Sequence, residues 1–174
     1  MSDLFSVPEG LEHVRVRLSD DDATRALGRA LAPHVRAERF LGLMGPLGAG
    51  KTTLMKGLAQ ALGVDPDDVT SPTYTLINEY DAQEGLTLAH MDLYRLEHVD
   101  DLEGIGYWDV LEDPWTVTCV EWLNTLWAAW PKSATVVALE PVQEHRVAHV
   151  HVRAESVMSM RESLVALSDS FEVL

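Results

Sequence analysis

A glycine-rich loop that follows an apolar run is the feature of this sequence that most constrains how the chain can fold. The stretch 40–54 reads FLGLMGPLGAGKTTL, and Gly45, Gly50, Lys51 and Thr52 satisfy the pattern G-x-x-x-x-G-K-[ST]. The apolar run before the loop predicts a β-strand, and the residues after Thr52 predict an α-helix. Because a phosphate-binding loop needs this context, the sequence predicts a site for a nucleoside triphosphate.

The residue types in the loop suit phosphate chemistry. Glycine lets the backbone turn back and point several N–H groups at phosphate oxygens, where a Cβ atom would clash. The following helix directs the positive end of its dipole to the same place. Lys51 is expected to reach the outer phosphates, and the Thr52 hydroxyl is expected to bind Mg²⁺. A glycine-rich turn without a ligand would give neither residue a purpose. The loop residues predicted to contact the nucleotide are Gly45, Leu47, Gly48, Ala49, Gly50, Lys51, Thr52 and Thr53.

Length and composition predict one domain. The chain has 174 residues, of which 47% are hydrophobic, and this is enough for one core. We predict a single domain over residues 1–174, with a loose tail at 1–11 and an acidic tail at 168–174. The opening residues lack the features of a signal peptide, and no apolar run approaches the length of a membrane span. The single cysteine, Cys119, lies in an apolar run and indicates a buried thiol. We therefore expect a cytoplasmic protein without membrane contact.

The formal net charge of −15 argues against direct, unaided binding to nucleic acid, because an acidic surface repels a phosphate backbone. Between Leu54 and His145 the basic residues are Lys56, Arg95 and Lys132. This scarcity also bears on small-molecule kinases, which commonly clamp the transferred phosphate with several arginines. A P-loop small-molecule kinase is the alternative function, and the missing arginine-rich lid counts against it.

Hydrophobic patterning predicts an α/β domain in which strands and helices follow one another. Two of the strands are separated by a short turn that contains Gly85, which predicts a β-hairpin. The predicted strands are 13–18, 40–44, 75–80, 86–91, 116–120, 134–139 and 146–152. The predicted helices are 23–35, 53–62, short pieces within 100–113, and 155–167.

Two acidic residues follow predicted strands. Glu121 comes directly after the β-branched run 116–120, which is the Walker-B arrangement with Glu in place of the usual Asp, and it is the predicted second magnesium partner. Asp92 comes directly after the strand 86–91. It could meet the magnesium ion or its water, or it could cap the turn that follows.

The segment between the loop helix and the hairpin carries several hydroxyl groups. Ser71 and Thr73 are candidates for sensing the terminal phosphate, as switch loops do. The alternative is an ordinary connection with a turn-forming Ser-Pro pair. The residues alone leave both interpretations open.

Three tryptophans, Trp122, Trp127 and Trp130, lie in a segment that ends at Pro131. Aromatic residues at this spacing pack in cores more often than they form a binding platform. Because Trp122 directly follows Glu121, we expect its ring to lie near the nucleotide.

His149 and His151 share one face of a predicted strand. They are a candidate metal pair, but no third ligand is visible in the sequence. A solvated strand face is therefore the favoured interpretation.

Five segments together resemble the TsaE family, formerly called YjeE, of small bacterial ATPases needed to make threonylcarbamoyladenosine in tRNA. They are GPLGAGKTTL, SPTYTLINEY, HMDLYRL, GIGYWDVLED and the EW after TVTCV, and the resemblance covers residues 19–153. It implies a P-loop NTPase-like fold with a central, mostly parallel (mixed) sheet flanked by helices. It also implies slow, Mg²⁺-dependent ATP hydrolysis coupled to a complex of the TsaB and TsaD proteins, in which TsaD modifies the adenosine.

The resemblance implies roles for particular residues. Thr52 and Glu121 become the magnesium partners, and Lys51 becomes the phosphate lysine. Asp92 becomes a residue required for hydrolysis, through orientation of water or of the metal shell. The residues implied to be catalytic are therefore Lys51, Asp92 and Glu121.

The resemblance also extends beyond the phosphate loop. Ser71 and Thr73 become switch-like residues in a loop that faces the partner complex. Trp122 and Arg146 are implied to lie near the nucleotide. Pro46 departs from the family, which usually has Asp there, and its missing N–H cannot contact phosphate. Given the acidic charge, the chain is expected to bind protein partners and not to bind tRNA directly by itself.

Overall fold

In the computed structural model, which describes residues 10–122, 130–131, 134–166 and 168–174, eight strands form one sheet. Apolar and polar residues alternate in the first strand, whose apolar side chains face the core. The strands are β1 (Leu11–Leu18), β2 (Phe40–Met44), β3 (Ile77–Asp81), β4 (Thr87–Asp92), β5 (Thr116–Glu121), β6 (Thr135–Val142), β7 (His145–Arg153) and β8 (Glu172–Val173).

The strand order in the sheet is β3-β4-β5-β2-β6-β7-β1-β8. The central strands β4, β5, β2 and β6 run parallel to one another, whereas β3, β7, β1 and β8 each pair antiparallel with their neighbours. Every residue of β2 and β5 is buried, as their continuous apolar and β-branched runs predict for strands covered on both faces. The mixed α/β sheet and the β3–β4 hairpin are therefore confirmed.

Helices cover both faces of this sheet in the described ranges. They are α1 (Asp21–Glu38), α2 (Lys51–Ala61), α3 (Asp101–Gly104), α4 (Tyr107–Glu112) and α5 (Val157–Ala166). The first, second and fifth pack on one face in the larger core, while Leu102 and Tyr107 carry α3 and α4 against the other face. Cys119 is buried with a free thiol in the larger core, as expected. None of the described helices is both long and apolar enough to cross a membrane.

The C-terminal residues take part in the sheet. β1 begins at Leu11, and residues 1–9 lie outside the described residues. Within the expected acidic tail, Glu172 and Val173 pair antiparallel with β1, and Phe171 is buried. The edge of β1 offers unpaired backbone groups to these two residues. Burial of the Phe171 ring beside them makes the pairing favourable.

Two glycines allow α1 and α2 to pack closely. Gly28 lies against the backbone of α2 at Leu54, and Gly57 lies against the carbonyl oxygen of Arg25 in α1. A methyl group at either position would overlap backbone atoms that cannot move independently of their helix. The helix that begins in the glycine-rich loop is thereby held against α1.

We predict that Gly57→Ala lowers the free energy of unfolding by about 2 to 3 kcal/mol, because the added methyl group forces the two helices apart. Gly104→Ala is the matched control, since nothing lies within 4 Å of a Cβ atom built there. Its expected effect is a gain of about 0.5 kcal/mol from helix propensity. Urea unfolding measures both values, and a Gly57→Ala variant as stable as the control would contradict the close contact.

Candidate functional site

The glycine-rich loop connects the end of β2 to the start of α2. Gly45 has φ 136° and Gly50 has φ 104°, a backbone region that side chains with a Cβ atom rarely adopt. A Cβ atom on Gly45 would lie 2.6 Å from the Leu139 carbonyl oxygen. Gly50 precedes α2 without a side-chain cap, so the helix begins with backbone N–H groups directed to the loop. The loop therefore has the backbone form that anion binding requires.

Lys51 is the first residue of α2 and is 5% exposed. Its Nζ donates to the carbonyl oxygens of Gly45 at 2.9 Å and Pro46 at 3.1 Å, and it lies 4.3 Å from the centroid of the Trp122 ring. Burial lowers the pKa of Lys51, while the negative charges of Glu121 and Asp92 act in the opposite direction. A buried ammonium held by neutral carbonyls is suited to accept an anionic ligand.

Pro46 is compatible with this loop. It is exposed, and its carbonyl accepts a hydrogen bond from the N–H of Ala49 at 3.1 Å as well as the bond from Lys51. The turn therefore uses the proline carbonyl and needs no N–H at this position.

Glu121 ends β5, opposite Leu43 near the end of β2, and is 3% exposed. Its Oε1 accepts a hydrogen bond from the Thr52 hydroxyl at 3.3 Å. The same oxygen lies 2.9 Å from Nε2 of His90, a fully buried residue of β4. The parallel register thus brings a hydroxyl and a carboxylate together at the start of α2.

Asp92 ends β4 as the register partner of Glu121 and is 2% exposed. Its Oδ1 accepts from the backbone N–H of Tyr94 at 2.9 Å, and its Oδ2 accepts from the Thr73 hydroxyl at 2.8 Å. The Ser71 and Thr73 hydroxyl oxygens are 2.9 Å apart. Asp92 therefore caps the following turn and also faces the cleft, so the two readings of this residue are not exclusive.

The side chain of Arg146, a residue of β7, lies beside the glycine-rich loop. Its Nη1 donates to Asp21 at 2.8 Å and to the Thr24 hydroxyl at 3.1 Å, both in α1. Its Nε lies 3.2 Å from the place that a Cβ atom on Gly50 would occupy. The absence of a side chain at Gly50 thus leaves room for a guanidinium beside the loop.

These residues surround one cleft of about 430 Å³, within the usual range of ligand pockets. Gly45 and Ala49 do not line it. Ala49 is fully buried, and Gly45 contributes its carbonyl to Lys51. The predicted residues that line the cleft are Leu47, Gly48, Gly50, Lys51, Thr52, Thr53, Ser71, Thr73, Asp92, Glu121, Trp122 and Arg146.

Two residues of this region, Asp21 and His90, are not among the predicted site residues. Asp21 lines the cleft and pairs with Arg146, but an acid in the first turn of a helix has an ordinary stabilising role that hides this contact. His90 bonds to Glu121 beneath the cleft. Its spacing of two residues before Asp92 places both side chains on one face of β4, and that spacing is a signal for its position.

Trp122 lines the cleft, with φ 61° and its ring centroid 5.0 Å from that of Tyr94. Trp130 is partly buried and packs against the core that contains Tyr107. Trp127 lies outside the described residues, so the predicted tryptophan cluster is described only in part.

His149 and His151 lie beside His13 of β1, with ring centroids 6.3 Å and 5.4 Å from the His13 ring. The interpretation as a solvated strand face is wrong for His151, which is only 9% exposed and whose register partner in β1 is His13. His149 is bonded to Glu140 at 3.1 Å. Among the described residues, no group of histidine, cysteine and acidic side chains has the geometry to hold a metal ion.

The sequence is similar to the members of one protein family. Residues 18–149 match the sequence model of the family described as threonylcarbamoyl adenosine biosynthesis protein TsaE. The chain is similar to the tRNA threonylcarbamoyladenosine biosynthesis protein TsaE of Synechocystis, with 42% identity over 63% of this chain and 69% of the relative. The Bacillus subtilis protein of the same description is 34% identical over 75% of this chain and 79% of the relative.

A solved structure also matches the fold. The crystal structure of Bacillus subtilis YdiB superposes with a TM-score of 0.64 and 26% identity. The match covers 91% of this chain and 98% of YdiB.

The histidine cluster makes stability depend on pH. Burial, followed by the neighbouring His13 and His149, lowers the pKa of His151 to about 4. Between pH 6.5 and 4 the unfolded chain takes up a proton at His151 that the folded chain does not, so stability falls as the pH falls. This residue alone should remove about 2 kcal/mol between pH 7 and pH 5.

We predict that His151→Val reduces the loss of unfolding free energy between pH 7 and pH 5 by that amount. His98→Val, at an exposed histidine, is the control and should keep the wild-type loss. Urea unfolding at the two pH values measures the difference. Equal losses in the wild type and His151→Val would show that His151 does not carry this pH dependence.

Proposed function

The chain belongs to the TsaE family of threonylcarbamoyl adenosine biosynthesis proteins, and on that premise we propose that it is a magnesium-dependent ATPase that serves tRNA threonylcarbamoyladenosine synthesis. One observation carries the proposal. The cleft brings the loop residues Lys51 and Thr52 against two buried carboxylates, Asp92 and Glu121. A cation, a hydroxyl and two acids at a glycine-rich helix start form a set suited to a nucleoside triphosphate with its metal ion.

The loop supports phosphate binding in two ways. Its open backbone and the uncapped start of α2 supply N–H donors. Lys51 already points into the loop, where its ammonium donates hydrogen bonds to the carbonyl oxygens of Gly45 and Pro46. An anionic phosphate would give this buried charge a stronger partner.

The oxygen donors in the cleft support Mg²⁺ as the metal. Mg²⁺ prefers hydroxyl, carboxylate and water oxygens, and it is commonly held by few protein ligands together with substrate phosphates. Thr52 and Glu121 are the residues that would hold it, and their side-chain oxygens already lie 3.3 Å apart. When bound, the ion would neutralise charge on the phosphates.

Asp92 is the residue that we propose orients the attacking water or the metal shell. It is buried at the cleft wall, and the Thr73 hydroxyl fixes one of its oxygens. Arg146 is the one arginine among the described residues lining the cleft, and Asp21 and Thr24 hold it. A single tethered arginine favours slow hydrolysis over phosphate transfer to a small molecule, which commonly needs several mobile cations.

The proposed partners are the TsaB and TsaD proteins in the cytoplasm. Leu47 and Tyr74, at the rim of the cleft, are 92% and 85% exposed, and exposed apolar groups of this kind favour a protein contact. The net charge of −15 favours a basic protein surface over tRNA as the direct partner. Ser71 and Thr73 connect the rim to Asp92, so this loop is suited to report the nucleotide state.

We predict that Lys51→Ala weakens ATP binding by about 100-fold or more, because it removes charge-assisted hydrogen bonds worth about 3 kcal/mol. Lys56→Ala, one turn further along α2 and outside the cleft lining, is the matched control and should bind ATP as the wild type does. Isothermal titration with ATP measures both. Wild-type affinity in Lys51→Ala would contradict the proposed phosphate site.

For hydrolysis, Asp92→Asn and Glu121→Gln should keep most ATP binding and lose about 100-fold or more in turnover. Both substitutions preserve size while removing the negative charge. A phosphate-release assay without any acceptor molecule measures turnover and also separates an ATPase from a kinase. Unchanged turnover in both variants would contradict the assignment of these acids.

The partner proposal predicts that TsaB and TsaD are retained by the immobilised chain with ATP and Mg²⁺ and are released when ATP is omitted. The Lys51→Ala variant should retain neither TsaB nor TsaD, with or without ATP, because it cannot reach the nucleotide-bound state. A pull-down with purified TsaB and TsaD tests this. Equal retention with and without ATP would argue against a nucleotide-controlled switch.

A further inference from the structure

His90 is a fully buried side chain that contacts the candidate magnesium residue Glu121. The proposed function does not use it. It lies in β4 with no exposed surface, and its register partner in β5 is Cys119. Asp92 and Glu121 are the next register partners on the same face, because side chains repeat every two residues along a strand. His90 and Glu121 therefore meet diagonally beneath the start of α2.

The hydrogen bond between these two residues has a defined direction. Nε2 of His90 lies 2.9 Å from Oε1 of Glu121, and a carboxylate oxygen can only accept. Nε2 must therefore carry the hydrogen in this contact. Nδ1 of His90 is buried and has no hydrogen-bond partner among the described residues, so the ring makes its side-chain hydrogen bond through Nε2.

The Thr52 hydroxyl bonds to the same carboxylate oxygen at 3.3 Å. Two donors from different elements thus converge on Oε1, and neither of these bonds uses Oε2. The ammonium of Lys51 feels the charge of Glu121 but donates its hydrogen bonds to the carbonyls of Gly45 and Pro46. A fixed donor behind Glu121 would prevent the side chain from turning away from Thr52.

We propose that His90 is a positioning residue that holds Glu121 in the orientation needed to bind Mg²⁺ beside Thr52. It touches neither nucleotide nor ion and acts through Glu121. This inference rests on the proposed function, because it concerns the same magnesium site. In metal sites, a donor behind a ligand commonly contributes about 10-fold to 100-fold in metal affinity.

Two amide substitutions separate positioning from a general structural role. His90→Gln can place a side-chain N–H near the position of Nε2, whereas His90→Asn is one methylene shorter and cannot reach Oε1. Both replace a buried ring with a smaller polar group, so each is a control for the loss of packing in the other.

The measurement is the affinity for a non-hydrolysable ATP analogue, titrated with Mg²⁺ and separately in EDTA. His90→Asn should require about 10-fold more Mg²⁺ than the wild type for half of the metal-dependent gain in affinity. The affinity in EDTA should change by less than about twofold, and His90→Gln should recover most of the Mg²⁺ dependence. Each comparison is made relative to the same variant in EDTA, at a temperature below its melting transition.

An equal Mg²⁺ requirement in the Asn and Gln variants would overturn the inference, and so would a parallel loss of affinity in EDTA and in Mg²⁺. A wild-type chain that binds no ATP analogue would overturn the proposed function, and the inference with it. A wild type that binds with Mg²⁺, beside a His90→Asn variant that behaves identically, would overturn the inference alone.

A spectroscopic measurement tests the hydrogen bond without any nucleotide. Nitrogen-15 spectra of the wild-type imidazole, assigned through His90→Gln, should show hydrogen on Nε2. The opposite tautomer would overturn the positioning contact, because Nε2 could then not donate to Glu121.

Discussion

The register of β5 between β2 and β4 is the constraint on which the site depends. Leu43 faces Glu121 across one parallel pairing, and Asp92 faces Glu121 across the other. Since parallel strands end at the same edge of a sheet, both acids emerge where β2 enters the glycine-rich loop. A slip of one residue would turn each side chain to the opposite face and replace the carboxylates with apolar neighbours.

Helix packing sets the other half of the site. Lys51 and Thr52 can face the two acids only if α2 starts close to the ends of β4 and β5. Gly28 and Gly57 allow α1 to pack closely against α2 in the core on this face of the sheet. α1 also supplies Asp21 and Thr24, which hold Arg146 beside the loop. One helix thus controls both the approach of α2 and the position of the arginine, although only Asp21 of it lines the cleft.

Local sequence patterns were sufficient for the elements whose information is local. The loop motif, the hairpin around Gly85 and the acids at the ends of β4 and β5 could all be predicted, because each depends on a few consecutive residues. Long-range pairing could not. β8 consists of two residues whose conformation depends on the free edge of β1, and the burial of His151 depends on the strand beside it. No periodicity over so short a segment distinguishes such a strand from a tail.

The site shows the same division. Arg146 could be assigned to this site only through the family resemblance, because its contacts with Asp21 and Thr24 span more than a hundred residues. His90 has the appearance of a core residue in an apolar strand, and its meaning depends on the neighbouring strand, where Glu121 provides its acceptor.

In the proposed function, the connection between the cleft and the outer surface is a short chain of polar contacts. Thr73 bonds to Asp92 inside the cleft and lies within hydrogen-bond distance of Ser71, while the adjacent Tyr74 is exposed at the rim. A change in the charge that faces Asp92 alters the strength with which it holds Thr73, because a hydrogen bond to a carboxylate depends on the surrounding field. Under this proposal, the loop that carries Tyr74 would respond to the occupancy of the cleft through this one side-chain hydrogen bond. Under the same proposal, a partner that contacts this exposed ring would distinguish the two nucleotide states without entering the phosphate site.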